Sequence, residues 1–197
     1  MSEFFIELFS EEIPAGLQRN SRNVLLENFQ NLFEEKKILF KKSSSFSTPN
    51  RLIILFEGLS KEITQKAEEI KGPNVNAPDK AVEGFLRSNQ IDKKDLFIKK
   101  IEKGEFYFFK KPTNKTNTID LLQEYTPLIL DKLQWKKSMI WGNYNLSWAR
   151  PLKSILAVFG NKSLDFKFHH LISSNTTFTD KEFEDKKKIF KTFKSYK

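Results

Sequence analysis

At 197 residues, 39% of them hydrophobic, the chain carries enough apolar material for a packed core, which excludes a disordered polymer. A formal charge of +9 suits an acidic partner such as nucleic acid, yet the excess is mostly lysine in a chain also rich in Phe, Asn and Ile, so charge alone does not separate a polyanion footprint from a coding bias. There is no cysteine, which excludes disulfides and thiolate metal sites; Met1-Ser2-Glu3 before a short apolar run predicts neither a signal peptide nor a membrane span, and cytoplasm is the expected compartment.

Residues 4–9 predict a buried strand interrupted by Glu7, and Pro14 stands where a helix would begin. That helix carries Leu17, Val24, Leu25, Phe29, Leu32 and Phe33 on one face and Arg19, Arg22 and Asn23 on the other. Residues 37–42 and 51–57 read as strands parted by a turn at Ser43-Ser44-Ser45, the second stopped by Gly58. The stretch from Lys71-Gly72-Pro73-Asn74 to Pro78-Asp79 is the strongest break in the chain and the expected subdomain boundary. Asp79 is placed to cap a short helix reaching Arg87, and residues 96–101 and 105–110 pair around Lys103-Gly104.

Residues 119–133 predict the second main amphipathic helix, through Leu122, Tyr125, Ile129 and Leu133, with Pro127 kinking its middle. Residues 154–159 and 164–168 form a last hairpin turning at Gly160-Asn161. His169 and His170 continue that strand and so face opposite sides of the sheet. From Asp180 the chain is basic, with Phe183, Ile189, Phe190 and Phe193 at near-helical spacing, as in a docked terminal helix or an RNA- or membrane-binding tail. The whole reads as an α+β fold of mixed or antiparallel sheets with two main amphipathic helices, in subdomains 1–72 and 73–179 and a basic amphipathic tail 180–197.

Signatures of chemistry are sparse. No phosphate-cradling Gly-x-x-x-x-Gly-Lys, dinucleotide Gly-x-Gly-x-x-Gly or nucleophile Gly-x-Ser-x-Gly motif occurs, and two adjacent histidines on a strand do not share one metal, so neither a catalytic residue nor a metal site is assigned. Glu11 and Glu12 lie before Pro14, where negative charge complements a helix dipole more simply than it forms an acid and base pair. Residues 133–160 stand apart: Trp135, Trp141 and Trp148 interleave with Lys136, Lys137, Arg150 and Lys153, a composition that fills a core or offers stacking faces and cations to a polyanion. Arg51 and Arg150 belong to a small set with Arg19, Arg22 and Arg87, and their planar forks serve phosphates and structural carboxylates equally well.

The order of these residues resembles one family. Lys137-x-Met139-x-Trp141-Gly142, Arg150-Pro151 and an apolar strand ending at Gly160 are similar to the β subunit of the bacterial heterotetrameric glycyl-tRNA synthetase. Further segments match in the same order: Glu7, Glu11, Glu12 and Pro14 at the start, Thr48-Pro49-Asn50-Arg51-Leu52, Lys71-Gly72-Pro73, Gly84-Phe85, and Lys103-Gly104-Glu105 before an aromatic run. The chain departs from the pattern at Ile140 and Asn50, where the family has arginine, and at Lys153, where it commonly has histidine. The segment between Pro73 and Ala81 is shorter, and no Gly-His-Arg-Phe motif follows Ser173-Ser174-Asn175-Thr176-Thr177, so the chain is expected to end early and differently from a much longer subunit, the rest of which is missing.

The resemblance implies an aminoacyl-tRNA ligase that joins glycine to tRNA-Gly with ATP, giving AMP and diphosphate. In that family the α subunit carries the class II active site and uses ATP and Mg; no cofactor is expected in this chain, which alone is expected to be inactive. Its implied partners are the α subunit and tRNA-Gly, with no membrane, and Arg51, Lys136, Lys137, Trp141 and Arg150 are the candidates for tRNA binding or for the subunit interface. A stand-alone RNA-binding module and a purely structural interaction domain remain alternatives.

Overall fold

A computed structural model describes residues 2–65, 69–101, 104–110, 114–179 and 187–197, so Lys103 and the 180–186 part of the expected tail lie outside the described residues. The chain forms two compact units, the first made of Met1–Ile63 and Thr116–Lys197 and the second, Thr64–Lys115, inserted within it. The first opens with strand β1 (Ser2–Ser10), helix α1 (Ala15–Glu35) and strands β2 (Lys42–Thr48) and β3 (Arg51–Leu59). The chain leaves through β4 (Glu62–Gln65), builds β5 (Glu69–Asn74), α2 (Asp79–Asn89), β6 (Leu96–Ile101) and β7 (Gly104–Lys110), and returns through β8 (Asn114–Asn117), which pairs with β4. Helix α3 (Thr118–Asp131) follows, then β9 (Met139–Ile140), β10 (Ser147–Trp148), β11 (Leu152–Phe159), β12 (Lys162–Ser163), β13 (Lys167–Phe168), β14 (Leu171–Ile172), β15 (Thr176–Phe178), β16 (Lys187–Ile189) and the single-turn α4 (Phe193–Tyr196). This is the expected α+β class, with antiparallel strand ladders.

The main sheet has the order β12-β11-β1-β3-β2. Strand β1 takes the middle because its residues 4–9 are apolar on both faces except at Glu7, as a strand covered on both sides must be. Phe4, Ile6 and Leu8 face the larger core with Phe56, Phe29 and Phe33, the last two from α1; the Phe33 and Phe56 rings meet edge to face at 4.7 Å. Helix α3 adds Leu122, Ile129 and Leu130 to this core, although Pro127 within it withdraws one backbone donor. The opposite face carries Phe5, Leu55, Leu156 and Val158, and the end of the chain lies on it through Phe190, Phe193 and Tyr196.

Several local expectations are corrected. Ser43, Ser44 and Ser45 are not a turn but the body of β2, because this edge strand lies beside the polar side of α1: Gln30 donates to Ser43 Oγ at 2.9 Å, Arg22 to Ser47 Oγ at 3.1 Å and Ser45 to Asn23 at 3.1 Å. The turn falls at Pro49-Asn50 instead. Gly58 does not end β3, which continues to Leu59 through a positive φ of 73°. Leu164 forms no hairpin strand; β11 pairs with β12, and β13 pairs with β14 around a tight turn at His169-His170, where His169 has φ 50°. The described tail is a short strand and one helical turn, not a long helix.

The second unit has the order β5-β7-β6, with β7 antiparallel to both neighbours. Lys71-Gly72-Pro73 is not a break but the body of β5, which tolerates Pro73 because it is an edge strand with a register shift between Lys71 and Asn74. Residues 71–79 thus lie inside this unit, whereas the division by contacts falls at residues 63/64 and 115/116. Two segments of the family pattern meet here: Phe85 of α2 packs so close to Gly72 that a Cβ there would stand 2.9 Å from its ring.

Candidate functional site

Arg51 lies on the tail-covered face of the main sheet. Its register partner is Phe9 on β1, two residues from Glu7, and its guanidinium sits 4.6 Å over the Phe9 ring. Arg51 Nε donates to Glu7 Oε2 at 3.1 Å and Nη2 donates to the Phe178 carbonyl at 2.5 Å. The Thr177 and Tyr196 hydroxyls also donate to the Glu7 carboxylate, which is fully buried. Burial pushes the Glu7 carboxyl above its ordinary value, opposed in turn by the hydrogen bonds from Thr177 and Tyr196 and by the Arg51 charge. The Tyr196 phenol is pushed up by its burial and by the Glu7 charge, so it stays protonated and donating. Arg51 is therefore engaged by a carboxylate, a carbonyl and a ring.

The other candidates gather at one end of the same unit, where segments carrying the family pattern are stitched together by backbone. Ser10 N donates to Asn50 O at 2.9 Å, Ile13 N to Pro49 O at 2.7 Å and Glu11 N to Pro151 O at 3.0 Å. Asn50, standing where the family has arginine, donates its side chain to Ser10 O at 3.2 Å, so its amide ties the same junction. Arg150 Nε donates to Glu12 O at 3.1 Å, and Lys153 pairs with Glu11 at 2.6 Å. The Glu11-Glu12 step is thus held by backbone and cations ahead of α1, and Glu11 forms an ion pair rather than an acid and base couple.

Beside this junction runs a groove of about 580 Å³ lined by Pro14, Gly16, Leu17, Lys136, Lys137, Ser138, Met139, Ala149 and Arg150. Lys136 and Lys137 are exposed and Arg150 is half-buried, so three cations border a largely apolar floor. Trp141 and Arg150 share an adjoining cleft of about 500 Å³ with Glu11, Glu12 and Pro151. The tryptophans divide their duties: Trp148 is 1% exposed and packs edge-on to Trp135 at 5.1 Å, whereas Trp141 is half-buried and donates Nε1 to the Trp148 carbonyl at 2.9 Å. Met139 and Ile140 of β9 are 60% and 63% exposed.

Lys136, Lys137 and Arg150 thus share one groove, Trp141 shares the adjoining cleft with Arg150, and Arg51 lines neither. Met139, Leu17 and Pro14 also line the groove and carry no local signal of it in the sequence, because only the fold brings the start of α1 against the β9 strand. The His170 ring stacks flat on Tyr144 at 3.6 Å, and His169 reaches Asp131 at 3.0 Å. Among the described residues no group of three or more His, Cys, Asp or Glu is placed to hold a metal ion, and no helix is long and apolar enough to cross a membrane.

The family model described as glycyl-tRNA synthetase beta subunit matches residues 4–197. The glycine–tRNA ligase beta subunit of Rickettsia canadensis (strain McKiel) is 39% identical over 197 residues, covering 100% of this chain and 29% of the relative. That of Rickettsia bellii (strain OSU 85-389) is likewise 39% identical, covering 100% and 30%, and that of Rickettsia prowazekii (strain Madrid E) 38%, with the same coverage. The matches run through Lys197, so the tail, which the motifs alone set apart from the family, is part of the likeness. The chain spans about 30% of the length of the curated relatives it matches. On the full span of the family match, the chain belongs to the glycyl-tRNA synthetase beta subunit family.

Proposed function

We propose that this chain serves glycine–tRNA ligation as a non-catalytic part that holds tRNA-Gly through the groove bordered by Lys136, Lys137 and Arg150. The supporting observation is the convergence of three cations from two separate segments on one open groove of about 580 Å³. Lysines offer point charges to phosphate and Arg150 a planar fork, while half-buried Trp141 lines the adjoining cleft. On this reading glycine activation with ATP and Mg belongs to an α subunit in the cytoplasm, and this chain alone does not aminoacylate.

The test is a salt titration of tRNA-Gly binding. If all three cations meet phosphates, they contribute a slope of about −2.7 in log K against log salt, roughly a forty-fold loss over a four-fold rise in salt. Replacing all three by alanine should remove that part of the slope; an unchanged slope would defeat the reading. Exposed Met139 and Ile140 favour a second reading, in which this surface meets the α subunit. Light scattering of the chain mixed with an α subunit decides between them: a complex formed without tRNA and lost in Met139→Asp supports assembly.

A further inference from the structure

The second unit carries a surface independent of that groove. In its three-stranded sheet Phe97 pairs with Phe108, Lys99 with Phe106 and Lys71 with Phe108, so the alternation of strand side chains puts these five on one face. Helix α2 lies against the other face, where Phe85 touches Gly72, whose direction is opposite to that of Lys71. On the face away from the helix, Phe97 is 37% exposed and its ring stacks on Phe108 with centroids 6.1 Å apart and planes 29° from parallel. The Lys71 ammonium sits 3.8 Å over the Phe106 ring, and Lys99 lies 5.7 Å from the Phe108 ring while pairing with Glu69 at 2.8 Å.

Rings and ammonium groups alternating on one sheet face are poor material for a protein core and good material for a strand of unpaired nucleotides. A face built to take a second apolar layer would put aliphatic groups, not exposed lysines, between its rings. Each nucleotide instead offers a planar base for a ring and a phosphate for a cation, at a spacing that a flat sheet face can follow. Bases within a duplex are stacked on each other and cannot reach the rings.

We infer that this face of the second unit binds single-stranded RNA, with bases stacked on Phe97 and, once Lys71 swings from the ring to a phosphate, on Phe106, and phosphates beside Lys71 and Lys99. Lys99 reaches a phosphate by giving up Glu69, an exchange between two exposed partners.

The experiment is a titration of fluorescently labelled hexa-adenylate with the full chain. Phe97→Leu and Phe106→Leu each keep an apolar side chain and lose the flat ring; each should weaken binding about tenfold, the scale of one lost stacked base, with an unchanged melting temperature. The same loss should persist when Lys136, Lys137 and Arg150 are all alanine, which separates this surface from the groove of the first unit. Equal affinity for wild type and Phe97→Leu overturns the inference, as does a blunt RNA duplex of the same length that competes as well as the single strand. Loss of tRNA binding in the triple alanine variant with hexa-adenylate binding intact supports both surfaces; intact tRNA binding there counts against the groove alone.

Discussion

Glu7 and Arg51 show what a buried charge requires of its neighbours. Glu7 is fully buried with a guanidinium and two hydroxyls on its oxygens, so removing Arg51 strands a carboxylate. Arg51→Met should destabilise the first unit by about 3 kcal/mol in urea unfolding. The pH dependence has a definite sign. With its folded pKa above the ordinary 4.5, Glu7 binds its proton more tightly folded than unfolded, so the stability linked to it is whole below 4.5 and lost as pH rises through the folded value. Glu7→Gln should lack that fall. In Arg51→Met the fall should extend to higher pH, because the charge and hydrogen bond that hold the carboxyl down are gone; paired unfolding curves from about pH 4 to 8 read both. The sequence displayed Glu7 as the flaw in an apolar strand and left Arg51 open between phosphate and carboxylate. Its partners lie 44 and 127 positions away, and no local spacing announces a pairing of that kind.

Among elements, those legible in the sequence were the ones with strong apolar periodicity, and the ones missed were set by their neighbours. Helix α1 and strand β1 follow from their own residues, whereas β2 is made of serines that α1 engages, and β5 is a strand through Lys71-Gly72-Pro73 because β7 offers it an edge. Gly72 makes that dependence testable. A Cβ there would meet the Phe85 ring at 2.9 Å and the Tyr107 carbonyl oxygen at 3.1 Å; the ring can tilt away, but the backbone oxygen cannot. Gly72→Ala should cost about 1–3 kcal/mol by overpacking. Hydrogen exchange should show α2 amides opening sooner while β1 amides keep their protection, since the strain falls within the second unit. Uniform loss of protection in both units would mean that the two unfold together.

At the scale of the whole molecule, the motifs of the family pattern do structural work first: residues 10–13 ahead of α1, the Pro49-Asn50 turn and the Arg150-Pro151 step are tied together by main-chain bonds, and Gly72 receives Phe85. That is why motif order was legible and the candidate site only in part. The cations were visible in the sequence, but the insertion of Thr64–Lys115 and the groove beside α1 arise from contacts between distant segments. Ile140, next to the groove-lining Met139 on β9, offers a direct comparison of the two roles proposed for the surface around that groove. It stands where the family pattern has arginine and is 63% exposed on β9, so Ile140→Arg replaces solvent-facing apolar surface and should leave stability within about 0.5 kcal/mol. If the surface meets tRNA phosphates, the new cation should steepen the salt slope by about 0.9 and tighten binding at low salt. If an α subunit covers it, the same change puts a charge into an apolar contact, weakening the complex seen by light scattering and leaving the tRNA slope unchanged. The two readings thus predict opposite responses to one substitution.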